Sequence, residues 1–88
     1  MMRIAVRYKP SFLRQYKKLE PALQDDVYEK IELFKNPKNH TKLHVHKLKG
    51  ILAGRFSFSV NYQYRIVYKY LDKKTVVFLV IGDHDIYR

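Results

Sequence analysis

Residues 55–88 read RFSFSVNYQYRIVYKYLDKKTVVFLVIGDHDIYR and contain most of the strand-forming side chains of the chain. Apolar and polar residues alternate over residues 55–60 and again over residues 64–71, which predicts two strands that each bury one face. Residues 76–81 are apolar throughout, a pattern typical of a central strand that is covered on both faces. Short polar turns join the three segments, so the stretch predicts an antiparallel meander.

The segments before this meander predict a strand and two helices. Residues 2–9 alternate between apolar and basic side chains, which indicates a half-buried strand that Pro10 ends. Ser11 is expected to cap the first helix. The apolar stripe of this helix consists of Phe12, Leu13, Tyr16 and Leu19. Pro21 fits the first turn of a second helix, which ends before Pro37. Its apolar stripe, at helical spacing, consists of Leu23, Val27, Ile31 and Phe34.

The order of these elements predicts an α+β fold in a single domain of residues 1–88. We expect an N-terminal strand and an αα-hairpin packed on one face of a curled, mainly antiparallel sheet of four or five strands. Residues 43–48 are expected to be extended, and Gly50 and Gly54 bracket a turn before the meander. A chain of 88 residues with 47% hydrophobic residues is sufficient for one core.

The charge balance indicates a polyanionic partner. Lys and Arg number 18 against eight Asp and Glu residues, which gives a formal net charge of +10. Five of the eight acids lie between residues 20 and 32, whereas residues 33–71 contain basic charges only. A field of this size favours nucleic acid, a ribosome, an acidic protein or an anionic membrane surface. The alternative is a charged surface that serves solubility alone.

The absence of cysteine and of a long apolar run restricts the class of protein. Without cysteine, disulfides, thiolate catalysis and cysteine-ligated zinc are excluded, and a reducing compartment is favoured. No apolar run approaches the roughly 18 residues that cross a membrane. The N-terminus also lacks the apolar core of a signal peptide. We therefore expect a cytoplasmic protein that does not associate with membranes.

Arg65 is the first candidate for chemistry, because it interrupts the apolar pattern of YRIVY. A charge inside a strand with strong burial signals is costly unless it is paired or lies on an open face. One interpretation is an arginine that bridges to a carboxylate or reaches solvent at an edge. The functional interpretation is a guanidinium on the open face of the sheet, where it binds a phosphate and stabilises transition-state charge.

Histidines supply the candidate acid/base groups. His84 follows the last predicted strand, and His46 opens the basic stretch 46–49. Imidazole is the side chain that titrates near neutral pH without perturbation. The alternative for His84 is a surface histidine near the chain end. A metal site on the three histidines of residues 40–46 is disfavoured by the basic surroundings and by the lack of a suitably spaced carboxylate. No metal or cofactor is expected.

The residue types present favour one reaction class. The chain has no glycine-rich phosphate loop, no paired carboxylates and no serine in a nucleophile context. Tyr62 and Tyr87 are candidates for stacking on exposed bases. Histidine, arginine, lysine and tyrosine suit metal-free RNA cleavage, in which the 2′-OH of the substrate is the nucleophile. The protein then needs to deprotonate that hydroxyl, neutralise the phosphate and protonate the leaving oxygen.

Three motifs, in this order, resemble the RelE/ParE superfamily of small toxins from bacterial and archaeal toxin–antitoxin pairs. They are HKLKG at residues 46–50 followed by Gly54, YRIVY at residues 64–68, and IGDHDIYR at residues 81–88. The chain length and the strand–helix–helix–meander order are also similar to this superfamily, whose fold is RelE-like and microbial-RNase-like. The YafQ-like and YoeB-like mRNA interferases are the branches that the sequence resembles most.

The resemblance implies the toxin of a type II toxin–antitoxin system. Such a toxin is an endoribonuclease that cuts mRNA in the A site of a 70S-type ribosome, and a cognate acidic antitoxin neutralises it within a hetero-oligomer. His46 resembles the acid/base histidine of the YafQ-like branch, Arg65 the catalytic arginine of the YoeB-like branch, and His84 the C-terminal histidine of both. Which histidine is the acid stays open. The residues implied in RNA or phosphate binding are Lys47, Lys49, Arg55, Tyr64 and Tyr87.

The sequence departs from the family pattern at two places, and two alternative functions remain. Ser57 and Ser59 stand on the strand where RelE carries basic residues, and residues 61–63 lack the aspartate of the YafQ-like branch. ParE-like members of the same fold inhibit DNA gyrase and have no nuclease site, so His46 and His84 argue against that function. The third hypothesis is a nucleic-acid-binding module without catalysis.

Overall fold

A five-stranded mixed sheet and two helices form the architecture of residues 3–83, the part of the chain that this computed structural model describes. The strands are β1 (Ala5–Tyr8), β2 (His46–Lys47), β3 (Phe56–Ser59), β4 (Arg65–Tyr70) and β5 (Thr75–Gly82). The helices are α1 (Pro10–Lys17) and α2 (Pro21–Phe34), and single 3₁₀ turns cover Pro37–Asn39 and Gly50–Leu52. The predicted α+β fold, with a strand before a helix pair and a meander after it, is confirmed.

The strand order is β1-β5-β4-β3-β2, so β5 is an inner strand that lies between β1 and β4. β5 runs parallel to β1 and antiparallel to β4, and the other pairs are antiparallel. The apolar run of residues 76–81 therefore forms an inner strand, as its pattern predicts. The parallel β1–β5 pair requires a long connection, and the chain between these two strands contains both helices and the strands β2, β3 and β4.

Both helices pack on one face of the sheet. Phe12 of α1 and Val27, Ile31 and Phe34 of α2 are buried together with side chains of β3, β4 and β5. The α2 stripe has spacings of four, four and three residues, which place it on one side of the helix. The Phe34 ring lies at the centre of this core. Its centroid is 4.5–5.6 Å from the rings of Phe58, Tyr68 and Phe78. The opposite face of the sheet is therefore not covered by the helices.

A β-bulge shifts the register between β4 and β5. Val67 pairs with Val80, and the next residue, Tyr68, pairs with Phe78, so Leu79 is the extra residue of β5. The extra residue lets Phe78 and Ile81, which are three positions apart, both enter the core on the helix face.

Three details differ from the sequence-based expectations. Ser11 does not cap α1, because Pro10 occupies the first helical turn and the Ser11 hydroxyl instead donates to the Leu79 carbonyl at 2.9 Å. Leu13 was expected in the buried stripe, yet its side chain is exposed. The extended segment predicted for residues 43–48 is limited to the two residues of β2. In residues 3–83 no helix combines the length and the apolar composition that a membrane crossing needs.

Candidate active site

The face of the sheet opposite the helices carries the polar side chains of β3 and β4. Phe58 enters the core, so Ser57 and Ser59 on either side of it point to the opposite face. Paired residues of antiparallel strands share a face, and Arg65 pairs with Ser59 in β3 and with Gly82 in β5. The structure therefore places Arg65 on the open face.

The guanidinium of Arg65 is held by a neutral partner. Its Nη1 donates a hydrogen bond to Ser59 Oγ at 2.8 Å, and the residue is half-buried. Within residues 3–83 the carboxylate bridge considered for Arg65 is not found, because the ion pairs there join Lys30 to Glu29 and Lys35 to Glu32. A hydroxyl orients the guanidinium without neutralising it, so its charge stays available to an anion.

His46 lies on the edge strand β2, opposite Ser57 of β3. Its Nδ1 is 3.0 Å from the backbone carbonyl oxygen of His44, and its Nε2 is 3.4 Å from Ser57 Oγ. Because the register pairs His46 with Ser57, the imidazole lies on the same face as Arg65. Both alternating serines of β3 thus neighbour a candidate catalytic side chain.

A concavity of about 570 Å³ brings His46 and Arg65 together. Leu43 and Val60 contribute the apolar part of its wall. The polar and charged side chains that line it are Lys30, Lys42, His44, His46, Ser59, Asn61, Tyr62 and Arg65. No aspartate or glutamate is among its described lining residues. Cations and imidazoles without a carboxylate suit an anionic ligand such as a phosphodiester.

The charges of this concavity differ in how they are compensated. Lys30 lies 3.2 Å from Glu29, in a pair whose two side chains are both accessible to solvent, so the pairing is weak. Lys42 is exposed at the rim, and within residues 3–83 the side-chain partner of Arg65 is a hydroxyl. The site therefore combines an oriented guanidinium, a histidine that can exchange a proton, and lysines that attract phosphates.

The other predicted RNA-binding residues lie apart from this concavity. Lys47 pairs with Phe56, a residue that packs on the helix side, so it points away from His46. Tyr64 packs against the core and lines a separate concavity near the α1–α2 connection. Lys49 is exposed immediately before Gly50–Leu52. None of these three is among the described residues that line the concavity with Arg65.

Arg55 lines a second basic concavity of about 250 Å³. Lys9 and Lys69 also line it, over the side chains of Val67 and Leu79. Arg55 immediately precedes β3 and lies two residues before Ser57, so it continues the side of the strand that faces away from the helices. The predicted residues His84 and Tyr87 lie outside the described residues, and β5 ends at Gly82, next to Arg65.

The histidine cluster of residues 40–46 separates into different environments. The His40 ring stacks on Phe34 with a centroid distance of 4.6 Å, and its Nε2 donates to the Phe34 carbonyl at 2.8 Å. His40 therefore packs against the C-terminal end of α2, whereas His44 and His46 line the concavity. Among the described residues, no three His, Asp or Glu side chains converge in a way that would hold a metal ion.

Ser59, Lys30 and Lys42 are members of the site that the sequence analysis does not single out. The position of Ser59 could be inferred from the sequence, because a tight turn over residues 61–63 pairs it with Arg65. The turn is closed by Asn61, whose Oδ1 accepts from the backbone amides of Gln63 and Tyr64 at 2.8 and 2.7 Å. Lys30 has no such signal, since its position depends on how α2 packs against the loop before β2.

Comparison with solved structures identifies the fold. No protein-family model and no curated protein matches the sequence. A chain of the toxin–antitoxin complex RelBE2 from Mycobacterium tuberculosis superposes with a TM-score of 0.77 and 29% identity, over 96% of this chain and 94% of that chain. YafQ from E. coli gives a TM-score of 0.77 at 16% identity, with 96% and 97% covered. A chain of the YoeB–YefM complex from Staphylococcus aureus gives 0.71 at 21%, with 93% and 98% covered.

The agreement covers nearly the whole of each chain. The matched proteins are RelE-, YafQ- and YoeB-type toxins, and a YoeB/ParE toxin from Agrobacterium tumefaciens matches with a TM-score of 0.66. The superfamily suggested by the motifs at residues 46–50 and 64–68 is therefore the one that the architecture supports. This chain has the fold of the RelE/YoeB/YafQ/ParE-type toxins.

Proposed function

We propose that this chain is the toxin of a type II toxin–antitoxin system and acts as a ribosome-dependent mRNA endoribonuclease that inhibits translation. The observation that carries the proposal is the concavity in which His46 and Arg65 meet among cations, without a carboxylate in the described lining. The structural similarity to toxins of the RelE, YafQ and YoeB types supports the role of a toxin.

The reaction that fits this site is a metal-free transesterification. A proton leaves the 2′-OH, its oxygen forms a bond to the adjacent phosphorus, and the bond from phosphorus to the 5′ oxygen breaks as that oxygen is protonated. In this proposal Arg65 contacts the non-bridging oxygens, whose negative charge grows in the transition state. His46 is one proton-transfer group, and His84, outside the described residues, is the other that we propose.

The remaining basic and aromatic residues are proposed to hold the RNA outside the reacting phosphate. Lys30 and Lys42 line the concavity itself, and Tyr62 at its rim is exposed over 91% of its surface, so it is free to stack on a base. Arg55 extends the basic surface along the open face. Lys47, Lys49, Tyr64 and Tyr87 stay proposed contacts to mRNA or to ribosomal RNA.

An acidic antitoxin is the partner that we propose. Tyr8, Leu13 and Tyr28 are exposed apolar side chains, and all three line a concavity of about 180 Å³ beside β1. Lys17 lies one helical turn after Leu13. An acidic amphipathic segment that orders on binding would cover this surface and offset the net charge of +10. The matched structures include toxin–antitoxin complexes, which supports such a partner.

The direct test is cleavage of mRNA on programmed ribosomes by the purified chain, with naked mRNA in parallel. We expect cuts at A-site codons, with 2′,3′-cyclic phosphate and 5′-hydroxyl ends. His46→Ala and Arg65→Ala should each lower the rate by about 10²–10³-fold. Lys73→Ala is the matched control, because it removes one positive charge from the turn between β4 and β5, at the other end of β4 from Arg65.

The outcomes separate the candidate functions. Products with 3′-hydroxyl ends would contradict transesterification. Intact mRNA combined with inhibited DNA gyrase would replace the nuclease by the ParE-like alternative. Equal rates for Arg65→Ala and Lys73→Ala would show that net charge, rather than a placed guanidinium, is what matters.

A further inference from the structure

The imidazole of His46 is contacted at both of its nitrogens. Nδ1 lies 3.0 Å from the backbone oxygen of His44, and Nε2 lies 3.4 Å from Ser57 Oγ. The two contacts are chemically different, because a carbonyl oxygen can only accept a hydrogen bond whereas a hydroxyl can donate or accept one. The two contacts therefore favour one tautomer of the neutral ring over the other.

The carbonyl of His44 determines which nitrogen of the neutral ring carries the proton. For a hydrogen bond to form at 3.0 Å, Nδ1 must carry the hydrogen and donate it. A neutral imidazole has only one N–H, so the lone pair then lies on Nε2. The hydroxyl of Ser57 can donate to that lone pair, and the length of 3.4 Å makes this a weak bond.

An unusual backbone conformation directs the His44 carbonyl toward the ring. His44 has φ of 56°, and it is the non-glycine residue with positive φ among residues 3–83. The left-handed region is disfavoured for residues with a Cβ, so the surrounding structure must hold it. The bonds on either side do so: the His44 amide donates to the Thr41 carbonyl at 3.1 Å, and the Val45 amide donates to the His40 carbonyl at 3.0 Å.

We propose that the left-handed backbone of His44 is a positioning element, which holds His46 in the Nδ1–H tautomer and leaves Nε2 as its proton acceptor. This inference rests on the proposed function for its catalytic meaning. Within that reaction, Nε2 accepts the proton of the substrate 2′-OH. His44 acts through its backbone and not through its side chain, so its conformation, rather than its imidazole, is the property to test.

The tautomer is measurable without RNA. Long-range ¹H–¹⁵N correlation spectra of the uniformly ¹⁵N-labelled full chain, recorded in mildly alkaline buffer, distinguish a protonated Nδ1 from a protonated Nε2. We expect His46 to show the Nδ1–H pattern. Observation of the Nε2–H form, which free histidine side chains prefer, would overturn the proposal.

A matched pair of variants isolates the backbone of His44. His44→Gly and His44→Val both remove the imidazole, but glycine adopts positive φ freely whereas a β-branched residue resists it. We expect His44→Gly to keep the Nδ1–H tautomer and His44→Val to lose it, with a dispersed amide spectrum as the check on folding. The turnover number on RNA should then be about tenfold lower for His44→Val than for His44→Gly, with similar KM.

The results distinguish this inference from the proposed function. The same tautomer and turnover in both variants would overturn the role of the His44 backbone and leave the nuclease assignment intact. An Nδ1–H ring in a chain that cleaves no RNA on ribosomes would overturn the nuclease assignment and leave the positioning of His46 intact.

Discussion

Ser59 is the residue that determines where the Arg65 guanidinium points. An arginine side chain has many rotamers, and the 2.8 Å bond to Ser59 Oγ selects among them before substrate binds. We expect Ser59→Ala to lower the turnover number on RNA by about tenfold, at a cost in folding stability of less than about 1 kcal/mol. The measurement is steady-state cleavage on ribosomes, with urea unfolding alongside.

Ser59→Thr is the control for that variant. It keeps a hydroxyl at the same position, and a β-branched residue suits a strand, so its turnover should stay near that of the wild type. If the alanine variant cleaves as fast as the threonine variant, then Arg65 is positioned by something other than this hydrogen bond.

The hydroxyl of Tyr68 gives a prediction about stability and pH. The ring is fully buried, and its Oη has no hydrogen-bond partner in the described part of the chain. Burial raises the pKa of Tyr68 above its ordinary value of 10.0, because a phenolate would be desolvated there. We expect Tyr68→Phe to unfold at an equal or higher urea concentration than the wild type, with a gain of up to about 1–2 kcal/mol.

The same shift makes the wild type sensitive to alkali. Since the folded pKa of Tyr68 is raised, its contribution is fully present below pH 10.0 and is lost as the pH rises through the folded value. The advantage of Tyr68→Phe should therefore increase in urea unfolding above pH 10.0. Tyr62→Phe, at a position exposed over 91% of its surface, should show no such trend. A constant difference between Tyr68→Phe and the wild type at all pH values would contradict this account.

At the scale of elements, α1 completes the edge of β5 where β1 stops. The β1–β5 pairing ends at Tyr8 and Phe78, and Lys9 extends it by one bond to the Phe78 carbonyl at 3.0 Å. Beyond Phe78, side chains of α1 form hydrogen bonds to the backbone of β5. Gln15 Oε1 accepts from the Ile81 amide at 2.9 Å. The Ser11 hydroxyl, in the first turn of α1, donates to the Leu79 carbonyl of the same strand.

Removing that acceptor should loosen the end of β5. We expect Gln15→Ala to cost about 1–2 kcal/mol in urea unfolding, because the partly buried Ile81 amide loses its partner. The Ile81 amide should also exchange its hydrogen faster than in the wild type. Gln15→Glu is the matched variant, since its carboxylate still accepts, and unchanged exchange in Gln15→Ala would refute the role of this contact.

These elements also show which features a single sequence can predict. The predicted apolar stripe of α2 is confirmed, because the spacing of apolar residues along a helix is a local property of the sequence. The inner position of β5 in the sheet follows from its continuous apolar run. The expectation that Ser11 caps α1 is wrong because the competing acceptor at Leu79 comes from the far end of the chain. The bulge at Leu79 likewise depends on how two strands fit one core, which no local pattern records.

The candidate site likewise contains some residues that the sequence indicates and others that depend on the three-dimensional fold. Arg65 and His46 are predictable, because a charge among apolar residues and a histidine in a basic stretch are visible in the sequence. Their common location arises from the register of β2, β3 and β4. The position of Lys30 depends on helix packing, and the proposed tautomer of His46 depends on one backbone angle at His44, so neither can be inferred from the sequence.

At the scale of the molecule, the two signs of charge occupy different parts of the fold. Acidic residues are concentrated in and just before α2, which packs on the helix side of the sheet, and the strands β2, β3 and β4 carry none. Single-stranded RNA that follows the open face would therefore meet cations in succession. Along β4, Arg65 and Lys69 are four residues apart, which is about 13 Å in a strand.

This arrangement predicts a salt dependence for RNA binding that individual lysines control. Each phosphate neutralised on a single strand adds about 0.7 to the slope of log affinity against log salt. Contacts from Lys30, Lys42 and Arg65 alone give a slope of about −2. We expect Lys42→Ala to reduce that slope by about 0.7 in fluorescence-anisotropy titrations with a non-cleavable 2′-deoxy oligonucleotide.

Lys73→Ala removes the same charge from the β4–β5 turn, so its slope should equal that of the wild type. Equal slopes for the two variants would mean that RNA is attracted by the net charge of +10 and not by this concavity.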